Sequence, residues 1–171
     1  MPLVRVTHPQ GALPLPPKRR LAESLTRIVL DAEVDAVTEP GRMVTVVQFH
    51  EVAADDWAVG GTLRSESPTR PDHFIVDVVV LEGLLEGARR GDVHRRVTEA
   101  FQEAFGPAAD PMLPLRVWVL VHDVREGGWG AAGRTVSATD VAQFINPDLD
   151  AARLAEIRAS IAPPTPPRQP T

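Results

Sequence analysis

The sequence predicts an α+β fold in which two β-α-β units share one four-stranded sheet covered by two helices. Three observations carry that prediction: the chain repeats itself at a constant offset of 72, each copy places an amphipathic helix between two Val-rich runs, and each copy ends in a Trp- and Gly-containing turn. With the offset applied, Val4 falls on Val76, Val6 on Val78, Gly11 on Gly83, Val47 on Val119, His50 on His122, Trp57 on Trp129 and Gly61 on Gly133, without a gap. Matches that keep one spacing from end to end of the unit indicate an internal duplication.

The elements follow in order. Residues 3 to 8 and 74 to 81 are rich in Val and Ile and read as strands. "RLAESLTRIVLDA" sets Leu21, Leu25 and Ile28 on one helical face, and "DVHRRVTEAFQEAF" does the same with Val93, Val97 and Phe101. "MVTVVQFHEV" and "LRVWVLVHDV" return as strands, and a helix between strands of this length makes a right-handed crossover joining parallel neighbours. "AADDWAVGG" and "REGGWGAAG" read as terminal hairpins or turns. Beyond them "SATDVAQFI" and "DAARLAEIRASI" read as two short helices, with Ser137 or Thr139 and then Asp148 or Asp150 as caps. The organisation is therefore a first unit over 2–61, a linker over 62–72, a second unit over 73–134, a C-terminal helical extension over 135–161 and a Pro-rich, disordered tail over 162–171. A unit of about 60 residues buries too little surface to stand alone, so the two units share their sheet. The edges left open predict a symmetric oligomer.

Composition narrows the functions. The 171 residues are 43% hydrophobic and carry a net charge of -5, which gives no long-range attraction for nucleic acid or an anionic membrane. The chain shows no apolar run of the roughly 18 residues that span a bilayer, and no basic-then-apolar start, so a cytoplasmic protein is expected. The absence of cysteine removes disulfides, thiolate metal sites and cysteine nucleophiles. Five histidines without an HExxH or clustered spacing predict no metal site. "GGWGAAGR" lacks the GK[ST] of a phosphate loop and reads as a turn, and nothing indicates a cofactor.

A proline directly after Met1, strands ending "PQG" and "LEG", a helix, strands ending "HEV" and "HDV", and the hairpins "WAVGG" and "GGWGAAG" together resemble the tautomerase superfamily over residues 2 to 134. The resemblance is to its double-length type, related to cis-3-chloroacrylic acid dehalogenase and malonate semialdehyde decarboxylase, with 4-oxalocrotonate tautomerase as the short type. It implies that Met1 is removed, that the free amine of Pro2 is catalytic, and that the chain forms a homotrimer. Phe74, the repeat partner of Pro2, has its nitrogen locked in an amide and cannot share the role, so each chain carries one site. A secondary amine in an apolar pocket loses affinity for its proton, and Pro2 is expected to act as general base on a small enol or 2-oxo carboxylic acid. The alternatives are hydration, dehalogenation or decarboxylation by the same amine, or a tautomerase-fold trimer whose site has lapsed and which serves in binding.

Several family positions are changed. The arginine that follows the strand-ending glycine is Ala12 in one unit and Leu84 in the other, and the arginine of the returning strand falls on Val46 and Trp118. "LEGLLEG" stands where paired arginines follow the third strand, Ala131 near the family glutamate, and Val29 near the helical histidine. Carboxylate binding then rests on other candidates: Arg89 and Arg90 at the start of the second helix, where Lys18 and Arg19 open the first, and Arg116, Arg125 and Arg134 around the last strand and hairpin. Trp129 is a candidate pocket wall, and His8 a candidate for tuning the amine or relaying its proton.

Overall fold

The computed structural model describes residues 2–106 and 110–161. Four long strands build its sheet, β1 (Leu3–Pro9), β2 (Val46–Val52), β5 (Phe74–Leu81) and β6 (Val117–Val124), in the order β2-β1-β5-β6. Within each unit the strands are parallel, β1 with β2 and β5 with β6, and the two units meet through the antiparallel pair β1–β5. The register sets Val47, Val4, Val78 and Val121 in one row across the sheet and Phe49, Val6, Val76 and Val119 in the next. Because side chains alternate along a strand, both rows face the same side. Burying each of the fully enclosed Val4, Val6, Val76 and Val78 side chains stabilises the fold by roughly 1.5–3 kcal/mol.

That side is covered by α1 (Leu15–Val34) and α3 (Ala88–Phe105), whose Leu21, Leu25, Ile28, Val93, Val97 and Phe101 complete the core. Both helices begin upstream of the periodic stretch that predicts them. In α1, Pro sits within the first turn, where its missing N–H costs no hydrogen bond. The hairpins are β3 (Ala58–Val59) with β4 (Thr62–Leu63), and β7 (Gly130–Ala131) with β8 (Arg134–Thr135). The strand β4 lies beyond Gly61, so the first unit runs into the stretch read from sequence as linker, because a hairpin needs its returning strand.

A short helix, α2 (Glu39–Val44), precedes β2 and takes in Met43, which the sequence assigns to the strand. The extension forms α4 (Ala138–Ile145) and α5 (Ala151–Ser160). Ser137 caps α4 by accepting from the Asp140 N–H, and Asp150 caps α5 by accepting from the Ala152 N–H. These helices build a second core from Leu30, Val34, Leu81, Leu84, Val141, Ala142, Ile145 and Ile157 at one end of the sheet. The tail assigned to 162–171 lies outside the described residues, as does Met1. Among the described residues no helix is long and apolar enough to cross a membrane.

Candidate functional site

Pro2 is buried just before β1, and its carbonyl accepts a hydrogen bond of 3.1 Å from the Val46 N–H at the start of β2. Since β1 is antiparallel to β5, with Leu3 opposite Val79, Pro2 lies at the sheet end where β5 and β6 finish. There the chain turns into α3 and the last hairpin. The second core closes this end. Phe74, the repeat partner, lies at the opposite end, where the extension does not reach and a cavity of about 320 Å³ is lined by Trp57, His73, Ile75 and Trp118.

The end of α1 returns to the level of Pro2 and is held by side chains from three other elements. A helix leaves its last carbonyls without internal partners and carries partial negative charge there. Arg89 of α3 donates to the Ala32 carbonyl at 3.1 Å, Arg153 of α5 to the Glu33 carbonyl at 3.0 Å, and Asn146, just after α4, to the Val34 carbonyl at 2.9 Å. Asp35, in the left-handed region with φ 54°, ends the helix. Arg89 also clasps the Asp35 carboxylate through both terminal nitrogens, at 2.7 and 3.0 Å. Arg153 donates to the Leu84 carbonyl at 2.7 Å and to Glu156 at 2.7 Å, and is 5% exposed.

Glu33 is fully buried at this end, and neither carboxyl oxygen has a hydrogen-bond partner among the described residues. Burial pushes its carboxyl up, against the opposing pull of the positive charges at the chain's N-terminus and on Arg153. Sequence reading missed Glu33 and Arg153. A signal for the first was present: Leu21, Leu25, Val29 and Glu33 stand at i, i+4 intervals, which puts an acid in the apolar stripe of α1. Arg153 had no comparable signal.

The predicted anion binders are distributed differently. Arg90 pairs with Asp123 at 2.7 Å, and its repeat counterpart Lys18 pairs with Glu51 at 2.7 Å. Both members of the second pair stand 72 residues before their equivalents. Lys18 and Arg90, at the starts of α1 and α3, thus form a duplicated ion pair, which already engages the Arg90 guanidinium. Arg116 bonds to the Asp72 carbonyl at 3.1 Å and to Asp110 at 2.9 Å, at the sheet end away from Pro2. His8 is also away from Pro2: six residues along β1 span about 20 Å. It packs near the Phe74 ring, with its Nδ1 2.9 Å from the Pro9 carbonyl, so a role in tuning Pro2 is corrected to one in the core. Trp129 packs partly buried against the second core at Pro2's end. Arg125 and Arg134 are exposed around the last hairpin and make no ion pair among the described residues. Among those residues no group of three His, Cys, Asp or Glu is placed to hold a metal ion.

Solved structures of the same architecture include native fused 4-OT, at a TM-score of 0.62 and 17% identity over 78% of this chain and 94% of that one. Pt0534 inactivated by 2-oxo-3-pentynoate matches at a TM-score of 0.61 and 19% identity, over 81% of this chain and 98% of that one. The chain has the double-length tautomerase fold. N1, of the cis-3-chloroacrylic acid dehalogenase family, shares it at a TM-score of 0.61 and 16% identity, over 92% of this chain and 99% of that one. No protein-family model and no curated protein matches the sequence. Within this fold Pro2 stands directly before β1.

Proposed function

We propose that the mature chain begins at Pro2 and uses its secondary amine as general base in proton transfer on a small enol or 2-oxo carboxylic acid, without a cofactor, as a cytoplasmic homotrimer. The observation that carries this reading is the burial of Pro2 at the start of β1, beside an apolar core, in a tautomerase fold. Burial disfavours the ammonium form, so the amine is neutral and basic near neutral pH. In ketonisation the neutral amine takes the enol O–H proton and delivers it to carbon; in the reverse direction it removes the proton from carbon and returns it to oxygen. Arg125 and Arg134 are the proposed carboxylate binders, because Arg89, Arg90 and Arg116 are committed to acids and carbonyls. Trp129 is proposed as a wall. Solved fused 4-OT proteins form trimers, and the open edges β2 and β6 support the same assembly here.

The experiment is ketonisation of an arylpyruvic enol by protein whose intact mass shows it begins at Pro2. Turnover should survive in part in Pro2→Ala, which keeps a primary amine, and vanish when the terminus is blocked. Treatment with 2-oxo-3-pentynoate, which inactivates Pt0534, should add one reagent mass at the N-terminal peptide by conjugate addition of the amine. A second reading, a lapsed site with a binding role, is favoured by the engagement of three of the five candidate arginines. It takes over if a panel of enol and 2-oxo acids gives no turnover that depends on Pro2.

A further inference from the structure

A carboxyl group deep in a core without a hydrogen-bond partner is destabilising, and a fold keeps one where something else uses it. Glu33 is such a group. It faces no donor among the described residues, although Arg153 is bonded to its own main-chain carbonyl and to Leu84, Arg89 is bonded to Asp35, and Arg96 to Asp31. The terminal nitrogens of these arginines are thus committed to other acceptors, and the Arg153 Nε, buried like Glu33, makes no hydrogen bond to it either. The positive charges of the chain's N-terminus and of Arg153 act on the Glu33 carboxyl without bonding to it. The placement is built by the fold: Glu33 closes the apolar stripe of α1, α1 returns to the end of the sheet where Pro2 is buried, and α4 and α5 shut that end from solvent.

We infer that Glu33 is the proton partner of the Pro2 amine, a positioning residue that shares one proton with it at the buried end of the sheet. The pair has two forms, amine with carboxylic acid and ammonium with carboxylate, and they differ only in which atom holds the proton. In the form with Glu33 protonated the amine is free to take the proton that the enol oxygen releases and to deliver it to carbon, so one O–H breaks and one C–H forms; Glu33 keeps the shared proton and the pair ends as it began, so the cycle balances without an added acid. This inference rests on the N-terminal amine being the functional group, and goes beyond it by naming the residue that sets its proton affinity.

The test is an NMR titration of the mature trimer or monomer as isolated, labelled with 15N-proline and with 13C at the glutamate carboxyl, so that it reads the pair whether or not any substrate is turned over. Arg153, Arg89, Asp35, Asp31 and Glu156 stay in place throughout. A carboxylate beside an ammonium favours the protonated amine, so Glu33→Gln should lower the amine midpoint by at least about one unit, a tenfold change in proton affinity. Glu33→Asp, which keeps the charge on a shorter arm, should restore part of the shift, and covers the case in which the amide variant does not fold. In the wild-type protein the Glu33 carbon and the Pro2 nitrogen should report the same two midpoints, as coupled groups do. An amine midpoint unchanged in both variants, or a Glu33 signal that titrates independently of the amine, overturns the inference. A normal coupled titration with no turnover on any enol or 2-oxo acid would leave the pairing standing and remove the proposed reaction, and an intact mass that retains Met1 overturns both.

Discussion

At the scale of single residues, charge is handled here by distance as much as by chemistry. His8 and Pro2 are neighbours in sequence terms, yet an extended strand carries the imidazole to the other end of the sheet, where burial lowers its proton affinity and the Pro9 carbonyl only partly offsets this. The unfolded imidazole takes up a proton near pH 6.5, while the folded one resists until lower pH. Stability is therefore complete above pH 6.5 and falls as pH drops through the window beneath it. Urea midpoints should decline on acidification through this window, and His8→Phe should flatten that decline. Glu33 has the opposite sign, its folded value being raised, so its contribution is present below the ordinary value of 4.5 and is lost as pH rises through the folded value. Among the arginines, Arg134→Ala and Arg125→Ala should raise KM by about tenfold if either holds the substrate carboxylate, as expected for loss of a charged hydrogen bond. Arg90→Ala should leave KM unchanged and cost no more than about 1 kcal/mol of stability, being a half-exposed ion pair.

At the scale of elements, the extension is joined to the repeat by close backbone approaches. Gly83 has φ +88°, and a Cβ built there would lie 2.9 Å from the Ile157 carbonyl oxygen of α5. Neither the backbone conformation nor the facing main chain can yield cheaply. Gly83→Ala should lower stability by about 1–3 kcal/mol, read as a drop in Tm, and should loosen α5 before the sheet. Gly11, its repeat counterpart with φ +79°, meets nothing within 4 Å, so Gly11→Ala should show only the backbone part of the penalty. Both glycines are legible from the repeat, but the difference between them is not, because it depends on a helix some seventy residues downstream that contacts one copy only.

At the scale of the whole molecule, the sheet face opposite the helices is bare. Val46, Trp118 and Leu120 are exposed there, and Arg5, Asp77 and His122 share the face, with a 2.7 Å contact between His122 and Asp77. Exposed apolar side chains on both edge strands of a bare sheet face call for cover. If the proposed trimer covers it, light scattering should give about three times 18.6 kDa, and Leu120→Lys or Trp118→Asp should shift the protein to monomer, with loss of stability at dilution. A wild-type chain that stays monomeric and folded at micromolar concentration would remove the trimer.

The sequence by itself determined the duplicated β-α-β architecture, the parallel pairing within each unit and the existence of the two terminal helices, because each of these follows from local periodicity, turn chemistry or the repeat, while the choice of Ser137 and Asp150 as caps came from the structure. Only the tertiary structure decided how the end of α1 is held at Pro2's end of the sheet. The carbonyls of Ala32, Glu33 and Val34 are met by Arg89, Arg153 and Asn146, which lie 57, 120 and 112 residues away along the chain. Packing also assigned Lys18 and Arg90 to Glu51 and Asp123, moved His8 out of the site, and buried Glu33 without a partner. Hydrophobic periodicity tells which face of an element is inside, but desolvation and pairing of a charge depend on which distant groups the fold brings to it, and no local pattern carries that information.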